Sequence, residues 1–432
     1  MQRSKPILDS ADTMNDALSQ RRHDLELLRI MALSILIFYH TGMLYVSGWD
    51  FHYKSDYQSE TLANWMLLVN PWRMSLLWFI SGVALRHALH KYGSWISLRQ
   101  RCVRLLLPLL FGVLFVVPPQ LYVEMAGKAQ LPTDYSYLDF YCAFWQWNHP
   151  LFAEYTRGIL PHMDVNHLWY LRELWKFSLL LIVLHFAWKK VDKIFPTACA
   201  AIKNRSVNSS HGGSLSTLLI LSLVALDVAH LDDRNKTGLL FLLAGYFLAS
   251  ATAFWQHVFQ ARRQYLIGAA VLYILLLCMY NLVWLVPTRK EQAWVDPTAA
   301  IIYRFYAGCC IMAALGYARY FGERFQDFSQ HWSEAVLPVY ILHQSLLIVA
   351  AYALKPYALG AVVEPMLVIV LTVAGSYLAY LVIARINVLR VCFGLKWIAH
   401  KTGSGENAGL GWRVRQGLAY LVLVPLAIRL VL

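Results

Sequence analysis

Apolar stretches long enough to cross a lipid bilayer recur along almost the whole 432-residue chain, and nothing else in the sequence limits its fold so strongly. One crossing needs about 20 predominantly apolar residues as an α-helix. Ten such stretches are legible, at about 26–46, 64–86, 103–123, 167–187, 215–231, 237–256, 265–286, 299–319, 335–353 and 366–386. Hydrophobic residues make up 58% of the chain and its mean hydropathy is +0.46, well above the roughly 45–50% apolar content of a soluble domain. The expected fold is therefore all-α, a polytopic membrane helix bundle of about ten transmembrane helices. The run 416–432, QGLAYLVLVPLAIRLVL, either adds an eleventh or lies at the interface.

Charge sets the expected orientation. The formal net charge of +13 is spread over alternate loops and does not form one basic domain, so it points to membrane topology and not to nucleic acid. With the N-terminus in the cytoplasm, the inner loops carry groups such as Arg86, Lys91, Arg99, Arg101 and Arg104, or Lys189, Lys190 and Lys193, while the outer loops are poor in Lys and Arg. That asymmetry follows the positive-inside rule. It predicts a multi-pass membrane protein with residues 1–25 as a cytoplasmic tail, 26–390 as the transmembrane domain and 391–432 as a cytoplasmic segment ending in a short apolar tail. Residues 1–24 lack the apolar core of a secretory signal, so the first span is expected to act as an uncleaved anchor. No inverted or parallel repeat is visible, and seven scattered cysteines without metal-ligand spacing read as free thiols. Neither a metal nor a tightly bound cofactor is expected.

Within the first span, Arg29 and His40 stand out. An eleven-residue separation turns a helix through about 1100°, some 20° past three full turns, so both lie on one face about 16 Å apart along the axis. Ionisable groups inside a span are costly and usually face a protein interior or a water-filled cavity, which makes them candidates for function. His40, about fourteen residues into its span, is expected in the outer half, and histidine can take and give a proton near neutral pH. A lone histidine is about as often a satisfied structural group, and Arg29 near the inner end equally suits snorkelling.

Other ionisable groups are weaker signals. Arg101 and Arg104 form an R-x-x-R pair at the cytoplasmic start of the third span; two guanidinium forks suit phosphate oxygens, although an ordinary basic flank is the commoner reason for such a pair. Arg73 lies inside an apolar run after Pro71 and needs a carboxylate, backbone carbonyls, water or an anionic substrate. Ser81 and Gly82 read as a packing patch. Glu173, roughly 9 Å from the outer edge, matches the depth of His40 and either orients it or pairs with neighbouring Arg172. Asp227 and His343 also fall at middle to outer depth, where each either serves the site or hydrogen-bonds another helix. The outer stretch 124–166 is rich in Trp, Tyr and Phe, as an interfacial belt or a sugar-stacking surface would be.

Taken in order, Arg29-x10-His40, FISG at Phe79 to Gly82, Arg101-x-x-Arg104 followed by LLLPLL, His167-Leu-Trp-Tyr-Leu and PVYILH at Pro338 to His343 resemble the integral-membrane acyltransferase family 3 from Glu26 to about residue 390. Glu26 departs from the Asp common at that place and keeps the charge. The run WRMSLLWFISG is similar to the branch containing the succinyltransferase of osmoregulated periplasmic glucans. The resemblance implies an acyl-CoA donor, acetyl or succinyl, approaching from the cytoplasm and a hydroxyl acceptor on an extracytoplasmic glycan. It further implies His40 as base, Arg29 as a positioning or charge-stabilising group, and Arg101 with Arg104 on the CoA phosphates. Direct transfer and a transient acyl-histidine both remain open, as does the partner of His40, Glu173 or Asp227; Arg73 either stabilises an oxyanion or recognises a succinyl carboxylate. The expectation is thus an inner-membrane O-acyltransferase with acyl-CoA, glycan and lipid as its partners. A transporter or glycan flippase using the same buried groups, or a scaffold in which charges only join helices, are the competing readings.

Overall fold

The computed structural model describes residues 22–155, 162–194 and 234–398. Among them the chain is almost wholly helical, with no strand beyond a single bridge between Val46 and Ser59. In chain order the principal helices are α1 (His23–Tyr45), α2 (Leu62–Val69), α3 (Arg73–Arg101), α4 (Leu107–Phe111), α5 (Pro118–Gly127), α6 (Tyr137–Phe144), α7 (Trp169–Ile194), α8 (Arg234–Leu248), α9 (Thr252–Gln260), α10 (Arg262–Met279), α11 (Val295–Phe321), α12 (Gln326–Trp332), α13 (Val336–Leu354), α14 (Gly360–Ile383) and α15 (Asn387–Cys392).

Six helical segments among the described residues are long and apolar enough to cross a membrane, or seven if one bent pair counts as a crossing, in place of the ten expected. The difference has particular causes. The expected spans 64–86 and 103–123 both fall inside one run, Leu62–Gly127, which at 66 residues is far longer than one crossing needs and is interrupted at Gly93 by a non-helical φ of 74°. The expected span 237–256 is not one helix, because α8 and α9 meet at an angle of 106°. The span expected at 167–187 does form α7, but Arg172, Glu173, Lys176 and the lysines at its end make it too charged to qualify by composition. The stretches 215–231 and 416–432 lie outside the described residues.

Two compact units divide the chain: Met1–Ala32 with Leu67–Ser97 and Leu179–Ser333, and Leu33–Met66 with Leu98–Ser178 and Glu334–Leu432. In the first, the FISG segment of α3 meets α8 backbone to backbone. A Cβ at Gly82 would overlap the Leu242 carbonyl oxygen, and one at Gly245 would overlap that of Phe79. Small residues at a membrane helix crossing allow this close approach, as the Ser81-Gly82 patch predicts for Gly82. Tyr306 of α11 donates to the Leu68 carbonyl at 2.6 Å, and Arg22 binds Asp24 through two nitrogens at 2.7 and 2.9 Å.

In the second unit, α14 is amphipathic in the reverse sense of a soluble helix. Glu364, Val368, Thr372 and Ser376, spaced four apart, are buried, while Val362, Val363, Met366, Val370, Val373 and Leu378 are exposed. Polar groups turned inward and apolar side chains turned out are what a lipid surround requires. Two π-helical turns, Cys102–Leu106 and Gly112–Val116, flank α4. The segment after α14 packs back on this region: Val391 clusters with Leu107, and Gly394, at φ 75°, leaves room for the Arg104 carbonyl, which a Cβ would approach to 3.0 Å.

The α3–α8 crossing yields a stability prediction. Gly82→Ala or Gly245→Ala should cost about 1–3 kcal/mol through overpacking against backbone that has little room to shift. Gly268→Ala, whose new methyl would meet only Cys309 Sγ at 3.5 Å, should stay within about 0.5 kcal/mol. Thermal unfolding of the detergent-purified proteins measures the contrast.

Candidate active site

His40 lies five residues before the end of α1. Its ring is half-buried, stacks on Phe51 at 5.9 Å between centroids, and sits 5.4 Å from the ring of His343 on α13. His343 is fully buried and in turn lies 5.5 Å from His167. The second unit thus gathers three histidines that are remote in sequence.

Carbonyl oxygens can only accept, and this fixes the protons on two of the rings. His343 Nδ1–H donates to the Tyr340 carbonyl at 2.6 Å, so Nε2 carries a lone pair. His167 Nε2–H donates to the Ile341 carbonyl at 2.9 Å, so its Nδ1 accepts from the Gln120 amide at 3.1 Å. Gln120 is itself fully used: its second N–H donates to Ser345 Oγ at 2.6 Å, its oxygen accepts from Gln344 at 3.1 Å, and Ser345 Oγ–H passes on to the Val116 carbonyl at 2.5 Å. Tyr340 O–H donates to the His167 carbonyl at 2.6 Å. Asn166, at φ 48°, turns the chain into His167 in a left-handed conformation that Asn tolerates better than most residues. Buried hydrogen-bond networks of this kind hold their members in one arrangement.

The loop that follows α1 closes over the end of that helix. Lys54 Nζ donates to the Met43 and Val46 carbonyls at 2.8 and 2.6 Å, capping orphan C=O groups where the helix dipole is negative. Burial pushes the Lys54 ammonium below its ordinary range, and burial above all, with Asp56 and Glu364 beside it, pushes the Tyr53 phenol up to about 12. Buried Glu364 of α14 accepts from Ser55 Oγ at 2.6 Å and Tyr45 O–H at 3.1 Å, and His52 pairs with Glu124 at 2.6 Å. Phe51 is thereby held against His40.

The remaining expected residues fall as follows. Glu173 is buried and engaged by Arg172 at 2.7 Å and Lys176 at 3.4 Å, the neighbouring pairing that the sequence allows as its alternative role; the rings beside His40 are Tyr39, Phe51 and His343. Arg29 shares α1 with His40 but belongs to the first unit and is exposed. Arg73, also in the first unit, donates to the Asn70 side chain and carbonyl at 2.5 and 3.1 Å. Asp227 lies outside the described residues. Arg101 closes α3 and Arg104 sits in the following π-turn, both half-buried; π-turns inside helices are frequent at functional sites. No group of His, Cys, Asp and Glu among the described residues is arranged to hold a metal ion. Sequence reasoning missed Phe51, Gln120, Gln344 and Ser345. The last three are polar residues in apolar runs, the same signal that marked His40.

Residues 22–381 match the family profile described as the acyltransferase domain of acyltransferase family 3. Comparison with curated proteins and with solved structures gives no match. With more than four fifths of its length under that one profile, the chain belongs to acyltransferase family 3, membrane enzymes that transfer acyl groups other than aminoacyl groups.

Proposed function

We propose that the protein is an inner-membrane O-acyltransferase, its N-terminus cytoplasmic, which moves an acetyl or succinyl group from cytoplasmic acyl-CoA to a hydroxyl of an extracytoplasmic glycan. The observation that carries this reading is one of reach within a single unit. The run from Arg101 to Gln120 is nearly continuous helix and spans roughly 28 Å, about the thickness of the hydrocarbon core. One end bears the guanidinium pair; the other is hydrogen-bonded into the histidine cluster that adjoins His40. A donor anchored by its phosphates on one face and an acceptor met near the other fit that layout.

In the reaction, the acceptor oxygen forms a bond to the thioester carbonyl carbon while the C–S bond breaks. His40 takes the hydroxyl proton and returns it to the departing CoA thiolate, a contribution typical of general bases at about 10²–10⁴-fold. Arg101 and Arg104 hold the CoA phosphates through charge-assisted bonds. Glu173, in the same unit as His40, holds its charge against Arg172 and Lys176. Phe51 presents an aromatic face where a sugar ring can stack.

Purified protein given acetyl-CoA or succinyl-CoA, a thiol reagent and a gluco-oligosaccharide should release CoA faster with the sugar than without it. His40→Ala should lose at least about a hundredfold of that rate while eluting as a folded protein; undiminished release would reject the base. Arg101→Glu combined with Arg104→Glu should raise the Kd for acyl-CoA by at least about tenfold, and an unchanged binding titration would reject the phosphate clamp.

A further inference from the structure

His343 offers a buried lone pair with no donor. Its Nδ1–H is spent on the Tyr340 carbonyl, its ring is completely enclosed, and its Nε2 makes no hydrogen bond. A buried acceptor left in that state costs free energy and is rare enough in native proteins to call for a reason. The three rings packed against it narrow the choice. His167 has both nitrogens engaged, by Gln120 and by the Ile341 carbonyl. Tyr340, 5.8 Å away, has given its hydroxyl proton to the His167 carbonyl. His40 is the third, at 5.4 Å between centroids and 44° between planes, near enough for a small turn of the His40 ring to bring a nitrogen within hydrogen-bond length of Nε2.

We infer that His343 is the positioning residue of His40: its Nε2 is the preformed acceptor for the N–H on one His40 nitrogen while the other His40 nitrogen takes the hydroxyl proton. The inference rests on the reading of His40 as the base. A neutral imidazole has one N–H and an imidazolium has two, so the nitrogen turned to His343 keeps its own N–H while the other holds the hydroxyl proton, and the bond to His343 strengthens as the ring becomes charged. An interaction that is stronger in the transition state than in the ground state raises kcat without tightening substrate binding. His343 suits this task because the Tyr340 carbonyl holds its other proton in place, so Nε2 is always the acceptor, and because no solvent competes for it. Hydrogen bonds then run in one direction, from acceptor hydroxyl to His40, from His40 to His343, and from His343 to the Tyr340 backbone. The other titratable groups facing this pair are His167 and, across Phe51, His52 with its partner Glu124.

Three substitutions separate this role from packing. Asn at 343 can still donate to the Tyr340 carbonyl from the Nδ1 position but places nothing at Nε2; Gln places an oxygen at Nε2; Leu provides neither. In the CoA-release assay with acetyl-CoA, succinyl-CoA and gluco-oligosaccharide, His343→Asn and His343→Leu should lose about a hundredfold in kcat, the scale of a lost preorganised hydrogen bond, with KM for acyl-CoA within about threefold. His343→Gln should recover at least about tenfold of that loss. Independently of turnover, nitrogen-labelled histidine spectra recorded as the wild type is acidified should show His343 Nε2 accepting an N–H as His40 protonates, a signal absent from His40→Ala. An active His343→Asn, a His343→Gln no better than Asn, a loss confined to KM, or no such N–H signal would overturn the inference. If His40→Ala turns over normally, the base reading has failed; if His40→Ala is inactive and His343→Asn is not, only the role of His343 has failed.

Discussion

Lipid gives a polar side chain nothing to bond to, and the arrangement of the second unit follows from that. Polar groups there turn away from lipid, Glu364, Thr372 and Ser376 lying inward along α14 while valines and leucines face out. The same requirement draws Gln120, Gln344, Ser345 and His167 into one hydrogen-bonded cluster. Within such a cluster a group that stays unsatisfied is conspicuous, because the surroundings could have satisfied it. The histidine at 343 is one such group, with Gln344 Oε1 another, and it adjoins His40 of α1.

The loop that follows α1 obeys the same rule. Its irregular backbone is tolerable because Lys54 takes up the carbonyls at the end of α1 and Ser55 is tied to Glu364. Those two anchors bracket the position of Phe51 from one side. The aromatic face over His40 is therefore held by the element that carries His40 and by α14, two parts of one unit.

Much of this was legible in advance, and what was not has physical reasons. The apolar runs at α1, α10, α11, α13 and α14 have the length of a crossing and form helices. The 106° bend between α8 and α9 left no mark, since hydropathy averages over a break as easily as over a helix. His40 could be singled out because a titratable residue in an apolar run is costly wherever it packs. His343 stood out on the same ground, but its contact with His40 did not, because it joins residues some three hundred positions apart and no local periodicity encodes it. Glu173 shows the reverse case: Arg172, one residue away, was always the nearer partner.

The two π-turns around α4 carry a consequence of their own. Each widens the helix by one residue in a turn, and one residue amounts to about 100° of rotation. The azimuth at which Gln120 enters its cluster, relative to Arg101, is thus written into two supernumerary residues and not into side-chain chemistry. Along this stretch chain length matters more than composition: neutral exchanges of leucine for leucine-like residues preserve the phase, whereas loss of one residue turns everything beyond it to another compass bearing.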